Sequence, residues 1–298
     1  MKKYIIVGIV AILIIMPIAG SSNTSQINVN KEIKTMKFST YNFTHAVLAE
    51  YATTTTCPYC PTASNQLWSI YNSDDYDFYF VTLVGDQNYK NIKSRIKELE
   101  ITSVPDVYFD GGYIQKTGAQ QSEQVYRNAI IQSGERQVVD FDIEVSVSWE
   151  GNSKLKISIT VQNNEAEEYE GHLRVYIVEP ESRWNDADNN PYHFGVLAIP
   201  IDKSLAYVKE KPRTLGEIYT FSKTWVGSRV GFGDITKDNI MVIAALYDAD
   251  TDYLLEVSAA EPTTTSRNLF EFILSRPIIS LFRSFKELGI LPYLLQQI

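Results

Sequence analysis

The 298-residue sequence predicts an α/β domain followed by an all-β domain. Three observations carry that expectation. Up to about residue 135, continuous apolar runs alternate with segments of helical period; from Val138 the texture changes to period-two alternation; and the chain is long enough for two cores.

In the first part, the run around Ala46-Val47-Leu48-Ala49 reads as a buried strand. Thr53 to Thr56 then leads into Cys57-Pro58-Tyr59-Cys60, after which Ala63, Leu67, Ile70 and Tyr71 recur at helical spacing. Proline fits a first helical turn, so a helix is expected to begin at the cysteines. Asp77 to Val84 is a second apolar run, expected parallel to the first through a crossover. A helix follows over Tyr89 to Leu99, with Ile92, Ile96 and Leu99 on one face. Val104-Pro105 opens a strand to Phe109, Asp110-Gly111-Gly112 signals a hairpin, and Tyr113 to Lys116 returns. A last helix over Ser122 to Gln132 closes the unit near Gly134.

In the second part, Phe141, Ile143, Val145, Val147 and Trp149 alternate with polar residues, as do Leu155, Ile157, Ile159 and Val161 across the turn Glu150-Gly151-Asn152-Ser153. Further strands are expected at Leu173–Val178, Gly195–Pro200, Tyr219–Trp225, Met241–Asp248 and Leu254–Ala259, the spacing of a small β-sandwich. An irregular polar segment is expected from Glu181 to Tyr192. The domain ranges are thus 38–135 and 138–261, followed by a linker at 262–268.

The two ends differ from this body. Lys2-Lys3, an apolar run from Tyr4 to Ala19 and the polar stretch from Gly20 have the three-part layout of a secretory signal within residues 1–20, before a linker at 21–37. Sixteen helical residues span only about 24 Å, short of the ~30 Å apolar core of a membrane. Cleavage near Ala19 or Gly20 is expected, with an uncleaved anchor as the other reading. At the C-terminus, 269–298 forms an amphipathic segment in which Ile278, Leu281, Phe282, Phe285 and Leu288 share a helical face. Membrane contact and docking on protein are both open for it. The formal charge of −9 and the lack of a basic cluster give no footing for nucleic acid.

The chain has two cysteines, so an extracytoplasmic location leaves them to pair with each other or with a partner's thiols. At a helix N-terminus, unpaired N–H groups and the helix dipole stabilise a thiolate, lowering its pKa from about 8.5 toward ~3.5–7.5. Cys57 is then the nucleophile and Cys60 the resolving thiol, with Pro58 and Tyr59 beside the attacking sulfur.

The run Val47-Leu48-Ala49-Glu50-Tyr51-Ala52, the Cys57-Pro58-Tyr59-Cys60 centre and Val104-Pro105 before a Gly-Gly hairpin resemble the thioredoxin superfamily over roughly residues 38–135. The resemblance implies a cis Pro105 whose neighbour Val104 aligns a substrate chain, a disulfide between Cys57 and Cys60, and proton transfer by a buried Glu50. With a secretory signal in front and a sandwich behind, the layout resembles the secreted family named for a twenty-eight-kilodalton outer-membrane protein. The implied architecture is an α/β thioredoxin-like domain followed by an all-β immunoglobulin-like sandwich. The implied function is extracytoplasmic thiol-disulfide exchange with protein substrates and an unidentified redox partner, without a cofactor.

Other readings stand beside this one. The second reading is an adhesion or binding module, its thioredoxin-like domain a scaffold with an inert disulfide. A zinc site would need two ligands from His45, His172 and His193, which lack paired spacing. Asp248, Asp250 and Asp252 resemble the opening of a calcium loop but are better read as a polar turn, as is Asp186-Ala187-Asp188-Asn189-Asn190. Tyr192-His193-Phe194 reads as a packed loop anchor, with substrate contact as the alternative. Asn42-Phe43-Thr44 and Asn23-Thr24-Ser25 fit glycosylation acceptors.

Overall fold

The computed structural model describes residues 41–165, 167–208 and 219–264. The expected signal or anchor, the linker at 21–37, the acceptor at Asn23 and the amphipathic segment at 269–298 lie outside the described residues. Among the described residues, no helix is long and apolar enough to cross a membrane.

The first part runs β1 (Val47–Thr53), α1 (Cys60–Ser73), β2 (Phe78–Val84), α2 (Gly85–Glu98), β3 (Asp106–Phe109), β4 (Ile114–Thr117) and α3 (Gln124–Gly134). β1 and β2 are parallel, Val47 opposite Phe78 through Thr53 opposite Val84, while β3 runs antiparallel to β1 and β4 to β3. All seven residues of β1 are buried, as expected of an apolar run covered on both faces. The hairpin after β3 turns through Gly111 at φ +72°, where an added Cβ would lie 2.1 Å from the Asp252 carbonyl oxygen. Only glycine fits so close an approach in that conformation.

The second part comprises β5 (Phe141–Trp149), β6 (Lys154–Asn163), β7 (Tyr169–Asn185), β8 (Pro191–Val208), β9 (Tyr219–Val226), β10 (Met241–Asp248), β11 (Leu254–Ala260) and β12 (Thr263–Thr264). Glu181 to Tyr192 is not an irregular segment. β7 and β8 form one long hairpin paired out to Asn185 and Pro191, and register shifts along it break the two-residue period. Within the expected linker, Thr263 and Thr264 form β12, parallel to β5.

The strands assemble into an eight-stranded mixed sheet, ordered β11-β10-β7-β8-β2-β1-β3-β4, and a four-stranded sheet, ordered β12-β5-β6-β9. The larger sheet crosses the expected boundary at 135–138: β8 pairs with β2, Gly195 opposite Thr82. Four strands expected in a separate sandwich therefore extend the first sheet. Alternation within β7 and β10 shows how this works. Leu173, Val175 and Ile177, with Val242, Ala244 and Leu246, join a core shared with the small sheet, whereas Tyr176, Val178, Ile243, Ala245 and Tyr247 join the core of the first part. Both faces are buried, which explains the continuous apolar run of β10.

Candidate functional site

The strand β1 delivers the chain to the cysteines at its C-terminal end. After Thr53, residues 54–56 form a turn in which the Cys57 N–H donates to the Thr54 carbonyl at 3.3 Å, and the Cys60 N–H donates to the Cys57 carbonyl at 3.3 Å. The helix α1 opens at Cys60, with Tyr59 as its N-cap residue and no side-chain cap. The N-terminus of α1 thus lies at the cysteines, as the spacing predicts. Cys57 and Cys60 are bonded as a disulfide with Cα atoms 5.4 Å apart. Cys57 is 6% exposed and Cys60 is sealed, while Pro58 is exposed and Tyr59 is 68% exposed.

Val104-Pro105 is a cis peptide, with Val104 half-buried and Pro105 buried. Asp106, the next residue, pairs with Ala52 near the end of β1, so this dipeptide enters the sheet at the end from which the cysteine loop leaves.

Glu50 has a different place from the one expected. Successive strand residues face opposite sides, and it is Tyr51 that reaches the cysteines: its hydroxyl donates to the Cys60 carbonyl at 2.8 Å. Glu50, on the other face, takes two bonds from Arg95, Nε to Oε1 at 2.7 Å and Nη2 to Oε2 at 2.6 Å, and one from the Tyr176 hydroxyl at 2.6 Å. Burial pushes its carboxyl up, but the Arg95 charge and its N–H donors outweigh that and hold it below the usual carboxylate range. An ionised carboxylate bound this way is poorly suited to carrying protons for the resolving thiol.

The Glu50 pair begins a charge ladder. Arg95 Nη1 also reaches Glu98 at 3.2 Å, Arg174 bridges Glu98 at 2.6 Å and Asp202 at 3.0 Å, and His172 lies 2.6 Å from Asp202. The ladder crosses once between the two parts of the chain, at the Glu98–Arg174 pair.

The opposite face of β1 carries hydroxyls. The Tyr51 hydroxyl lies 3.2 Å from Thr53 Oγ1, which lies 2.8 Å from the Tyr192 hydroxyl; that hydroxyl donates to the Thr54 carbonyl at 3.0 Å. Tyr51, Thr53 and Tyr192 are all buried. From the solvent side, Asp86 at the start of α2 accepts the Thr55 N–H at 3.1 Å and the Thr55 hydroxyl at 2.5 Å. The long Thr53–Thr56 approach is therefore held from within and from without.

Tyr192-His193-Phe194 packs, as the anchor reading expects, but within β8 and not in a loop. Phe194 is 4.8 Å from the Tyr71 ring and 5.0 Å from Phe80, and His193 stacks on Trp68 at 3.6 Å. The other histidines sit elsewhere, His45 against Asp110 at 2.8 Å and His172 against Asp202. Asp248 and Asp186 cap their own turns: Asp248 Oδ1 accepts the Thr251 N–H and hydroxyl, and Asp186 Oδ1 the N–H groups of Asp188 and Asn190. In the Asn42 acceptor, the Thr44 hydroxyl bonds the carbonyls of Gly134 and Arg136.

Reasoning from sequence missed Tyr51, Thr53, Tyr192 and Asp86 as supports of the cysteine loop. A tyrosine inside a strand expected to be buried was the available signal, because a buried hydroxyl needs a partner.

No family model matches the chain, and no curated protein matches it. Among solved structures it is similar to a protein from Agrobacterium tumefaciens, at 14% identity over 74% of this chain and 96% of that one, with a TM-score of 0.47. It is also similar to a domain of the outer membrane lipoprotein Omp28 from Porphyromonas gingivalis, at 14% identity, 44% and 93% coverage and a TM-score of 0.30. A β-glucosidase from Bifidobacterium adolescentis matches at 13% identity over 42% of this chain but 17% of its own, with a TM-score of 0.26.

Proposed function

We propose that the chain is an extracytoplasmic thiol-disulfide oxidoreductase of thioredoxin-like fold, acting on protein thiols or disulfides. One observation carries this reading: a disulfide at the N-terminus of α1 in which Cys57 keeps 6% of its surface exposed and Cys60 none. In the reducing direction, the Cys57 thiolate attacks a substrate disulfide, forming a mixed disulfide and releasing one substrate thiolate. Cys60, losing its proton, then attacks Cys57 Sγ, expelling the second substrate thiolate and closing the Cys57–Cys60 bond. The substrate gains two electrons and the pair loses two. In the oxidising direction the same bonds form and break in reverse order. The entry of Val104-Pro105 into the sheet beside the end of β1 supports its role in aligning the substrate chain, as the exposure of Tyr59 supports that of an aromatic contact.

The test is trapping. A Cys60→Ala variant is expected to accumulate mixed disulfides on Cys57 with protein thiols from the same compartment, and the wild-type pair to poise between about −120 and −270 mV. A poise below about −300 mV, with no turnover and no trapped substrate, would overturn the enzyme reading in favour of a binding module whose disulfide is inert.

A further inference from the structure

The hydroxyl chain behind the cysteines brackets the redox loop at both ends. At one end Tyr51 donates to the carbonyl of Cys60; at the other Tyr192 donates to the carbonyl of Thr54, with Thr53 Oγ1 between the two phenols. The Thr54 carbonyl is also the acceptor of the Cys57 N–H, so the Tyr192 bond fixes the peptide group on which Cys57 hangs. The two rings pack edge to face, 6.2 Å apart at 69°. Tyr192 belongs to β8, 139 residues from Thr53 in sequence. Burial raises the Tyr192 hydroxyl to about 12, which keeps it protonated and donating at neutral pH.

We propose that Tyr192 is a positioning residue of the Cys57–Cys60 centre, through which the second half of the chain helps set the redox equilibrium. Its significance for catalysis rests on the exchange reading above. The physical step is ring closure. Two thiols close to a disulfide more readily when the backbone that carries them, here anchored at the Thr54 and Cys60 carbonyls, is already held in the closed shape, because less conformational freedom is lost. Removing the Tyr192 hydroxyl takes away one donor to the Thr54 carbonyl, leaves the Cys57 N–H on it, and loosens the approach to Cys57. The closed form loses more than the open form, and the disulfide becomes easier to reduce.

The experiment uses the full chain and a dithiothreitol redox buffer, whose equilibrium with the pair is defined whether or not the protein turns over a substrate. Tyr192→Phe is expected to shift that equilibrium about three- to tenfold toward the dithiol, the scale of one intramolecular hydrogen bond. Unfolding midpoints should show the oxidised form destabilised more than the reduced form, as the thermodynamic cycle requires. Tyr176→Phe, which removes an equally buried hydroxyl on the Glu50 side, should leave the equilibrium within twofold of wild type. Thr53→Val should shift it in the same direction as Tyr192→Phe, and Thr53→Ser should restore it; this pair decides the matter if Tyr192→Phe does not fold. The proposal is overturned if the Tyr192 or Thr53 variants stay within twofold of wild type, or if Tyr176→Phe moves the equilibrium as far. Absence of turnover in the wild type would instead count against the exchange reading alone.

Discussion

Glu50 and Tyr51 are neighbours on β1, both fully buried, and each is linked to a tyrosine from the second half of the chain: Glu50 directly to Tyr176, Tyr51 through Thr53 to Tyr192. The two faces nonetheless have opposite characters. One holds a ladder of alternating charges from Glu50 to Asp202, which ends against the His172 ring; the other holds neutral hydroxyls and a disulfide. The separation has a chemical consequence. An ionised carboxylate close to Cys57 would oppose a thiolate by like-charge repulsion, and here the buried carboxylate lies across the sheet, neutralised by Arg95. Thiolate stability is left to the helix N-terminus and the loop around it.

Breaking the charged face should have the largest effect on stability. Arg95→Met strands the Glu50 carboxylate and is expected to cost about 3–5 kcal/mol in urea unfolding, while Glu50→Leu with Arg95→Met should recover much of it, because no unpaired charge then stays buried. Glu50 has a depressed folded pKa, so its contribution is present above the unfolded value of 4.5 and is lost as pH falls through the folded value. The acid limb of the stability profile should flatten in the double variant. The redox equilibrium should not move by more than about twofold, which is what keeps the two faces distinct. A loss below about 1 kcal/mol for Arg95→Met would show that the ladder is not a clamp.

Much of this comparison was legible along the chain and little of it across the chain. The strand before the cysteines, the helix after them and the proline-led strand opposite all follow from local period and turn chemistry. Alternation alone also puts Glu50 and Tyr51 on opposite faces. The partners do not follow, because Arg95, Tyr176 and Tyr192 arrive from 45, 126 and 139 residues away from the groups they bond. The continuity of the large sheet was hidden for a related reason. β7 and β10 are buried on both sides, so their patterns show that they are interior without saying which sheet they join. In β7 and β8 the register shifts further blur the period, which is why their outer arms read as loop.

Glu256 sharpens the contrast by showing a half-buried carboxyl bonded by backbone N–H groups instead of a guanidinium. It accepts the Val257 N–H at 2.8 Å and the Ala46 N–H at 3.4 Å, the latter just ahead of β1. Burial raises it to about 8, and Asp77 and Asp142 push in the same direction. The sign is opposite to that of Glu50. A carboxyl raised from 4.5 to about 8 binds more protons folded than unfolded between those values, so its contribution is full below 4.5 and is lost as pH rises through 8. Stability should fall over that window by up to about 1.4 kcal/mol per pH unit. Glu256→Gln, which keeps an acceptor and cannot ionise, should flatten the fall and make the variant the more stable protein at pH 9. Parallel profiles for variant and wild type in denaturant melts would refute the assignment.

The smallest expected effect lies at the outer anchor of the cysteine loop. Asp86 and Tyr192 both hold the Thr54–Thr56 approach, Asp86 through the Thr55 N–H and hydroxyl, Tyr192 through the Thr54 carbonyl. They differ in what replaces them. Asp86 is exposed, so water can take over its bonds to Thr55, and an asparagine keeps one acceptor oxygen in place. Tyr192 is fully buried, and a phenylalanine in its place offers the Thr54 carbonyl no donor, so that carbonyl keeps one partner fewer. Asp86→Asn is therefore expected to change the dithiothreitol equilibrium less than twofold, against three- to tenfold for Tyr192→Phe. If the two variants shift it equally, the loop is held by its total number of tethers, and the buried hydroxyl chain has no privileged hold on the disulfide.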